Sequence, residues 1–484
     1  MKTLKNVFVN THDNYLKLAD ILFDSQINRV ELLSVREIEW GEINTQDKLL
    51  AFISLLPERL SEPETNKDII DGKYFLAIPG AIDPHVHFDT PGFELREDFE
   101  HASRAAASGG VTTIIDMPCT SIPPVTNADN LKIKLDAVKD RSLIDFAFWG
   151  GIGGDCFSIP EQLKKNIFEL AEKGVAGFKV YIISGMEDFK DLTYEQIENV
   201  AQIVKKTGKP LAVHAEDKTI VLTEQSDRIS RGLNSWQDYN ASRSIKAETE
   251  AVNKLEKIAK RTGCRIHIVH LSSTEGLKIV KDYHSKKQNF TAETCPHYLH
   301  FTQKDFENPA IRNFLKTAPP VKFEKDRESL WSALAENKLV FVTTDHAGCN
   351  PDEEKSSEDF WEVYGGIPGV EHRVPYLFSE GFLKNRIEMN QTINLLSTNA
   401  ADFFQLKSKG RLRNGCDADI SLINLWASET ITASRMHSKG RYTPFEGLQL
   451  NAVVEKTFLR GKMIMDRAKK FFGKTGYGKF VECK

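Results

Sequence analysis

Between about residues 75 and 400 the chain alternates eight times between a short β-branched or apolar run and a longer stretch of helical periodicity. The runs are 75–88 (FLAIPGAIDPHVHF), 110–118 (GVTTIIDMP), 143–152 (LIDFAFWGGI), 175–183 (VAGFKVYII), 210–217 (PLAVHAED), 265–273 (RIHIVHLSS), 289–299 (NFTAETCPHYL) and 339–347 (LVFVTTDHA). Near-continuous apolar strands are buried on both faces, which is how parallel sheets with helical crossovers are built. TYEQIENVAQIVKKTG and AETEAVNKLEKIAKRTG supply crossovers, and each closes on the glycine that a helix C-terminus favours. Eight such units predict an α/β fold, a (β/α)8 barrel spanning 75–404.

The flanks read differently. Residues 1–74 and 405–484 hold short alternating strands such as KNVFVN, ADISLINL and AVVEKTFLRGKMIMD, with turns at RNGCDAD and RGK. They predict a small β-sandwich built from both termini, its two parts separated by the barrel. The stretch LLPERLSEPETNKD (55–68) reads as a polar loop.

Composition narrows the function classes. A net charge of −4 over 484 residues, without a dense Lys/Arg block, argues against a nucleic-acid partner. No apolar run reaches membrane-spanning length, and MKTLKNVFVNTHDNYLKLAD has neither the apolar core nor the cleavage site of a secretory leader. The seven scattered cysteines form no CxxC pair, which suits a reducing cytoplasm rather than a disulfide framework. The expected partner is a small molecule.

Chemistry in such a barrel sits at the C-terminal ends of the strands. His85 and His87 lie there on strand 1, and their i, i+2 spacing points both imidazoles to one face. Lys179 lies within the apolar GFKVYI of strand 4; His214 ends strand 5, His270 strand 6 and Asp345 strand 8. Imidazole and carboxylate donors suit zinc and its divalent neighbours, although two ions need more donors than four imidazoles. A buried ammonium there would be costly and would repel cations. Carbamylated by carbon dioxide, the same lysine becomes a carboxylate able to bridge two ions; the alternative is a surface lysine with its stem on apolar neighbours. His267, three residues from His270, reads as structural and on the opposite strand face. His346 is expected to turn away or to orient Asp345. His297 and His300 could line the mouth or pack against helices, while His12, His101, His284 and His437 read as surface residues.

In this order the motifs resemble the cyclic amidohydrolases: allantoinases, dihydroorotases and dihydropyrimidinases (hydantoinases). They include SRAAASGGVTTIIDMP, GFKVYI, AVHAED, IVHLSS, AETCPHYL, TAPPVK, TTDHAGC, GGIPGVE and NAADFFQLKSKGRLRNGCDADI, nearly the whole length of the chain. The resemblance implies a hydrolase that opens a cyclic amide or ureide at two divalent metal ions, zinc being the expected pair. His85, His87 and Asp345 would hold one ion, His214 and His270 the other, with N6-carboxylated Lys179 bridging them. Two such ions lower the pKa of a bridging water so that hydroxide attacks the polarised ring carbonyl. Asp345 would take the proton and deliver it to the departing nitrogen. The resemblance also implies a homodimer or homotetramer.

Departures from the pattern bear on which ring is opened. Dihydroorotases resemble one another in a basic residue after the second histidine and an asparagine in a MPNT segment, both gripping a substrate carboxylate. Here those places hold Asp89 and Cys119, and Asp89 would repel a carboxylate. DMPCTSIPPVTN and SRSIKAETEAV resemble allantoinase segments more closely, so an allantoinase-like activity is expected, with dihydroorotase, dihydropyrimidinase or a non-catalytic scaffold as alternatives. Ser184 stands where hydantoinases carry an oxyanion-steadying tyrosine, and Ala318 where a serine is common; both are candidate substrate contacts. Arg96 or Arg373 could restore a carboxylate grip from a loop.

Overall fold

The computed structural model describes residues 1–33, 35–56, 68–284 and 289–484; most of the polar stretch 55–68 and the side chain of His284 lie outside the described residues. The barrel forms as the alternation predicts. Its strands 1 to 8 are Ala81–His87, Val111–Asp116, Asp145–Phe148 with Gly150–Gly151, Phe178–Tyr181, Leu211–His214, Ile266–Ile268, Phe290–Ala292 and His346–Ala347. Every ladder between them is parallel. A bridge from Thr294 to Val342 joins strand 7 to the segment entering strand 8 and closes the ring.

Strand alternation sorts the side chains. Val180, Val213 and Ile268 pack outward against helices, whereas Ile115, Trp149, Ala212 and Phe341 fill the interior with Phe404 and Leu406. Trp149 and Phe404 meet edge-on at 5.3 Å. The helix Ile245–Thr262 shows why the crossovers form: Ser244 caps its first turn, Ala251, Leu255, Ile258 and Ala259 make its buried stripe, and Gly263 ends it at φ 69°.

Three segments differ from the sequence reading. The run 75–88 is two strands, since Leu76–Pro79 joins the terminal β sheet and only Ala81–His87 enters the barrel. In the run 339–347 only His346–Ala347 is laddered. Arg373, fully buried, donates to the Val342 carbonyl (2.7 Å), while Asp83 accepts from Thr344 N (3.3 Å) and Oγ1 (2.7 Å), so side chains replace the missing strand partners. The last residues do not stay with the β domain. Phe480 stacks on Phe148 at 5.6 Å, and Cys483 N bonds the Gly174 carbonyl, so the tail packs under the barrel.

Most of the terminal strands join in one ten-stranded sheet in which Leu76–Pro79 links the N-terminal strands to Ile420–Asn424 and Val453–Leu459, while Glu429–Thr430 and Gln449–Leu450 pair apart from it. Four strand spacings separate Phe23 from Phe458 along that sheet, about 19 Å if it were flat. Their rings lie 6.0 Å apart, so the sheet folds over on itself as the sandwich reading expects, around Val7, Ile21, Phe23, Ile420 and Phe458. No helix among the described residues is long and apolar enough to cross a membrane.

Candidate metal centre

The six residues singled out from the sequence meet at the C-terminal mouth of the barrel. Asp345 Oδ1 lies 3.0 Å from His85 Nε2 and 3.3 Å from His87 Nε2, and one ligand atom of each of the three falls within 4.8 Å of the others. His214 Nδ1 and His270 Nε2 are 3.1 Å apart. The His85 and His270 rings, 5.5 Å between centroids, connect the two groups. Lys179 is wholly buried, its Nζ has no hydrogen bond, and it lies 4.8 Å from the Tyr181 ring, which stacks on His214.

Two of these side chains owe their aim to left-handed backbone: His270 at φ 39° and Asp345 at φ 49°. Strand 6 ends at Ile268, so the turn at His270 breaks the alternation that put His267 on the opposite face. His267 instead faces inward beneath the site, its Nε2 3.0 Å from Glu293, as a structural partner.

The imidazoles are held from behind, as metal-ligating histidines are. Glu293 Oε1 is 2.5 Å from His85 Nδ1, Glu216 Oε2 is 2.9 Å from His214 Nε2, and Thr120 Oγ1 is 3.2 Å from His87 Nδ1. Arg243 in turn pairs with Glu216. In each case the nitrogen left over faces the cluster. Glu293, Glu216 and Arg243 escaped the sequence reading, although both acids stand just past the end of a barrel strand, which was the available signal. Tyr181 also escaped it: its hydroxyl lies 3.1 Å from Cys119 Sγ.

Electrostatics follow from this packing. Burial pushes the Lys179 ammonium down to about 8. Burial would lower His87 too, but its hydrogen bond to Asp345 carries it up to about 10. Burial, then the neighbouring His214, lowers His270 well below the ordinary imidazole value. Burial opposes ionisation of Asp345, yet the His85 charge holds it well below the usual carboxylate range. The site therefore keeps protons between a carboxylate and imidazoles that a cation would displace. Four imidazoles, one carboxylate and a lysine with an unused amine fit a pair of divalent cations, provided the lysine gives up its charge.

The other candidates fall unevenly. Asp89 is buried, left-handed at φ 55°, with both oxygens unpartnered. Cys119 is buried 3.9 Å from His87 Nδ1. Ser184 does not fit the oxyanion role: its hydroxyl donates to the Phe189 carbonyl (2.7 Å) and accepts from Met186 N (3.1 Å), which commits it to its own loop. Ala318 is partly buried and brings no polar side chain. Neither arginine reaches out for an anion. Arg96 bonds Glu354 at 2.7 Å, and Arg373 is in the core. His346 does not orient Asp345; its Nδ1 accepts from Gly369 N and Val370 N. His297 is buried with Nε2 unpartnered, and His300 packs on Phe445 at 5.3 Å. Of the histidines read as surface, His12 is exposed, whereas His101 pairs with Asp98 (2.9 Å) and His437 with Glu371 (2.6 Å).

Residues 76–464 match the model of the amidohydrolase family. The chain belongs to that family. Among curated relatives, the allantoinase of Rubrobacter xylanophilus is 35% identical over 415 residues, covering 85% of this chain and 88% of the relative. The allantoinase of Bacillus licheniformis is 34% identical over 416 residues, covering 84% and 89%. Among solved structures, the L-hydantoinase (dihydropyrimidinase) of Arthrobacter aurescens superposes with a TM-score of 0.87 at 26% identity, covering 99% of both chains. The dihydropyrimidinase of Brevibacillus agri gives 0.86 at 25% identity, covering 100% of this chain and 98% of that one. Amidohydrolases generally use a binuclear metal centre, and this member carries candidate ligands for one.

Proposed function

We propose that this amidohydrolase opens a cyclic ureide by hydrolysing a ring C–N bond, allantoin being the best-fitting substrate. The observation that carries the reading is the wholly buried, unpartnered Lys179 beside His85, His87, His214, His270 and Asp345. N6-carboxylation of Lys179 would turn a destabilising buried ammonium into an anionic bridge, the neutral amine taking up carbon dioxide with release of one proton after the ammonium has lost its own. His85, His87 and Asp345 would hold one divalent cation, His214 and His270 the other, with zinc the expected pair. Such a pair supplies a Lewis acid for the ring carbonyl and a water that ionises near neutral pH. Asp345, at the open side of the cluster with its side chain 15% exposed, accepts the proton of the attacking water and returns it to the departing ring nitrogen. Glu293, Glu216 and Thr120 keep the imidazoles aimed throughout.

Allantoin is preferred over dihydroorotate because, among the described residues, neither arginine considered for a carboxylate grip is free at the mouth. Asp89 stands in the place of the arginine, Arg96 is committed to Glu354, and Arg373 is interior. Cys119 and Asp89 are assigned to the substrate side of the site; Ser184 and Ala318 are assigned loop packing. All seven cysteines are free thiols, which suits a cytoplasmic setting. The implied dimer or tetramer is checked by sedimentation of the purified chain.

The test is ring opening of allantoin, dihydrouracil and dihydroorotate side by side, with bound metal counted. Two ions per chain and turnover of allantoin alone is the expected result. Turnover of dihydroorotate would overturn the specificity reading, and a chain that binds no metal would favour a non-catalytic scaffold.

A further inference from the structure

Lys179 and Tyr181 stand two residues apart on strand 4, so both side chains point into the barrel, and Tyr181, which ends the strand, is one step nearer the mouth. Lys179 is wholly buried with Nζ 4.8 Å from the Tyr181 ring, whereas Tyr181 itself is half-buried. The ring is firmly held. It stacks on His214 at 5.4 Å with 25° between the planes, and it meets Phe189 edge-on at 5.8 Å. Leu192 N donates to the Tyr181 carbonyl at 2.8 Å and fixes the backbone as well.

The hydroxyl of this fixed ring is loosely held. Among the described residues its one hydrogen-bond contact is the thiol of Cys119, 3.1 Å away in the turn after strand 2. A thiol is a weak donor and a weak acceptor, so a substrate oxygen displaces it at little cost. The thiol in turn lies 3.9 Å from His87 Nδ1, while His87 Nε2 is the nitrogen that faces Asp345. The hydroxyl is therefore aimed at the strand 2 wall, behind His87, and away from the converging ligand atoms where the scissile carbonyl must sit. It is placed to meet what the substrate ring carries rather than the bond that breaks. Because the ring is already ordered, such a contact loses little freedom on binding.

We propose that Tyr181 is a specificity-determining residue, its hydroxyl leaving the Cys119 thiol to bind a neutral, hydrogen-bonding substituent on the substrate ring. The inference rests on the hydrolase reading above and adds to it the group that selects the substrate. In allantoin that substituent is the ureido arm, whose carbonyl accepts from the phenol O–H. Hydantoin is the same ring without the arm and offers the hydroxyl nothing. An anionic substituent is disfavoured on this side, because Asp89, two residues past His87, is buried with both oxygens unpartnered.

The test is Tyr181→Phe in the metal-loaded enzyme, which keeps the ring and its stacking and removes the hydroxyl alone. The ratio of kcat/KM for allantoin to that for hydantoin falls roughly tenfold. The loss on allantoin appears in KM, as it does for a contact made equally in the ground and transition states. Binding is read separately by calorimetry in metal-loaded Asp345→Asn, where turnover is too slow to disturb the titration. Adding Tyr181→Phe there weakens allantoin relative to hydantoin by a similar factor. An unchanged ratio in either measurement, or the loss of a bound ion in Tyr181→Phe, would overturn the assignment. If the wild-type enzyme opens neither ring, the hydrolase reading fails instead, and the calorimetric ratio alone decides whether the hydroxyl touches the ureido arm.

Discussion

The barrel gathers acids and their partners at both ends, to opposite effect. At the C-terminal mouth His85, His87 and Asp345 bring ligand atoms within 4.8 Å of one another, and at the other end Asp145, Asp417 and Asp419 do the same. The lower cluster already contains its cation. Lys409 Nζ lies 2.6 Å from Asp145, 2.7 Å from Asp419 and 3.0 Å from Asp417, and Arg460 pairs with Asp145 as well. That ammonium ties the start of strand 3 to the loop before Ile420–Asn424 and so locks barrel and β domain together. At the mouth, Lys179 is equally buried but bonds to nothing. Convergent carboxylates alone do not make a metal site; what counts is whether the protein supplies the cation.

The sharpest break in that comparison is Lys179→Ala, expected to lose both bound ions and all measurable turnover while the fold survives. Short carboxylic acids should restore part of each, and retention of both ions on elemental analysis would remove the bridging role. Asp345→Asn comes next, with turnover down on the order of 10²–10⁴-fold and an unchanged circular dichroism spectrum; near-normal activity would end the proton-shuttle assignment. At the lower cluster Lys409→Met leaves Asp417 and the buried Asp419 without their ammonium and the buried Asp145 with Arg460 alone, a loss of about 3–5 kcal/mol in urea denaturation, with initial metal content unaffected. Lys409→Ala should instead become thermally stabilised by added calcium, because the three carboxylates then lack the ammonium they shared and keep only Arg460 at Asp145; no response would mean that they cannot rearrange around an ion.

The smallest effect is one of pH. Burial opposes ionisation of Asp145, but Lys409 and then Arg460 hold its carboxyl below the ordinary 3.8. A depressed carboxyl contributes its stability in full above the unfolded value and loses it as pH falls through the folded one. Wild-type protein should therefore lose stability below pH 3.8 more steeply than Lys409→Met; parallel acid unfolding curves would show that the pair is not coupled to folding.

Strand and helix periodicity, which are local properties, made the barrel legible, and counting along it carried His85, His87, Lys179 and His214 to the mouth. Counting failed where the backbone leaves the period. The left-handed turn at His270 brought His267 to the same side, and the 340–344 segment, bridged only to strand 7 at Val342, also depends on Asp83 and Arg373, far away in sequence. Ser184 was misjudged for a related reason: position suggested a substrate contact, while hydrogen bonds to Phe189 and Met186 had already claimed its hydroxyl.

The sequence by itself determined the layers of the fold and which chemical groups reach the mouth, because both follow from which way successive residues point. Only the tertiary structure decided which of those groups are already satisfied. Lys179 and Lys409 are both lysines near acidic residues in the one-dimensional string. One finds three carboxylates across a domain boundary and the other finds none, a difference set by long-range packing that no local pattern encodes.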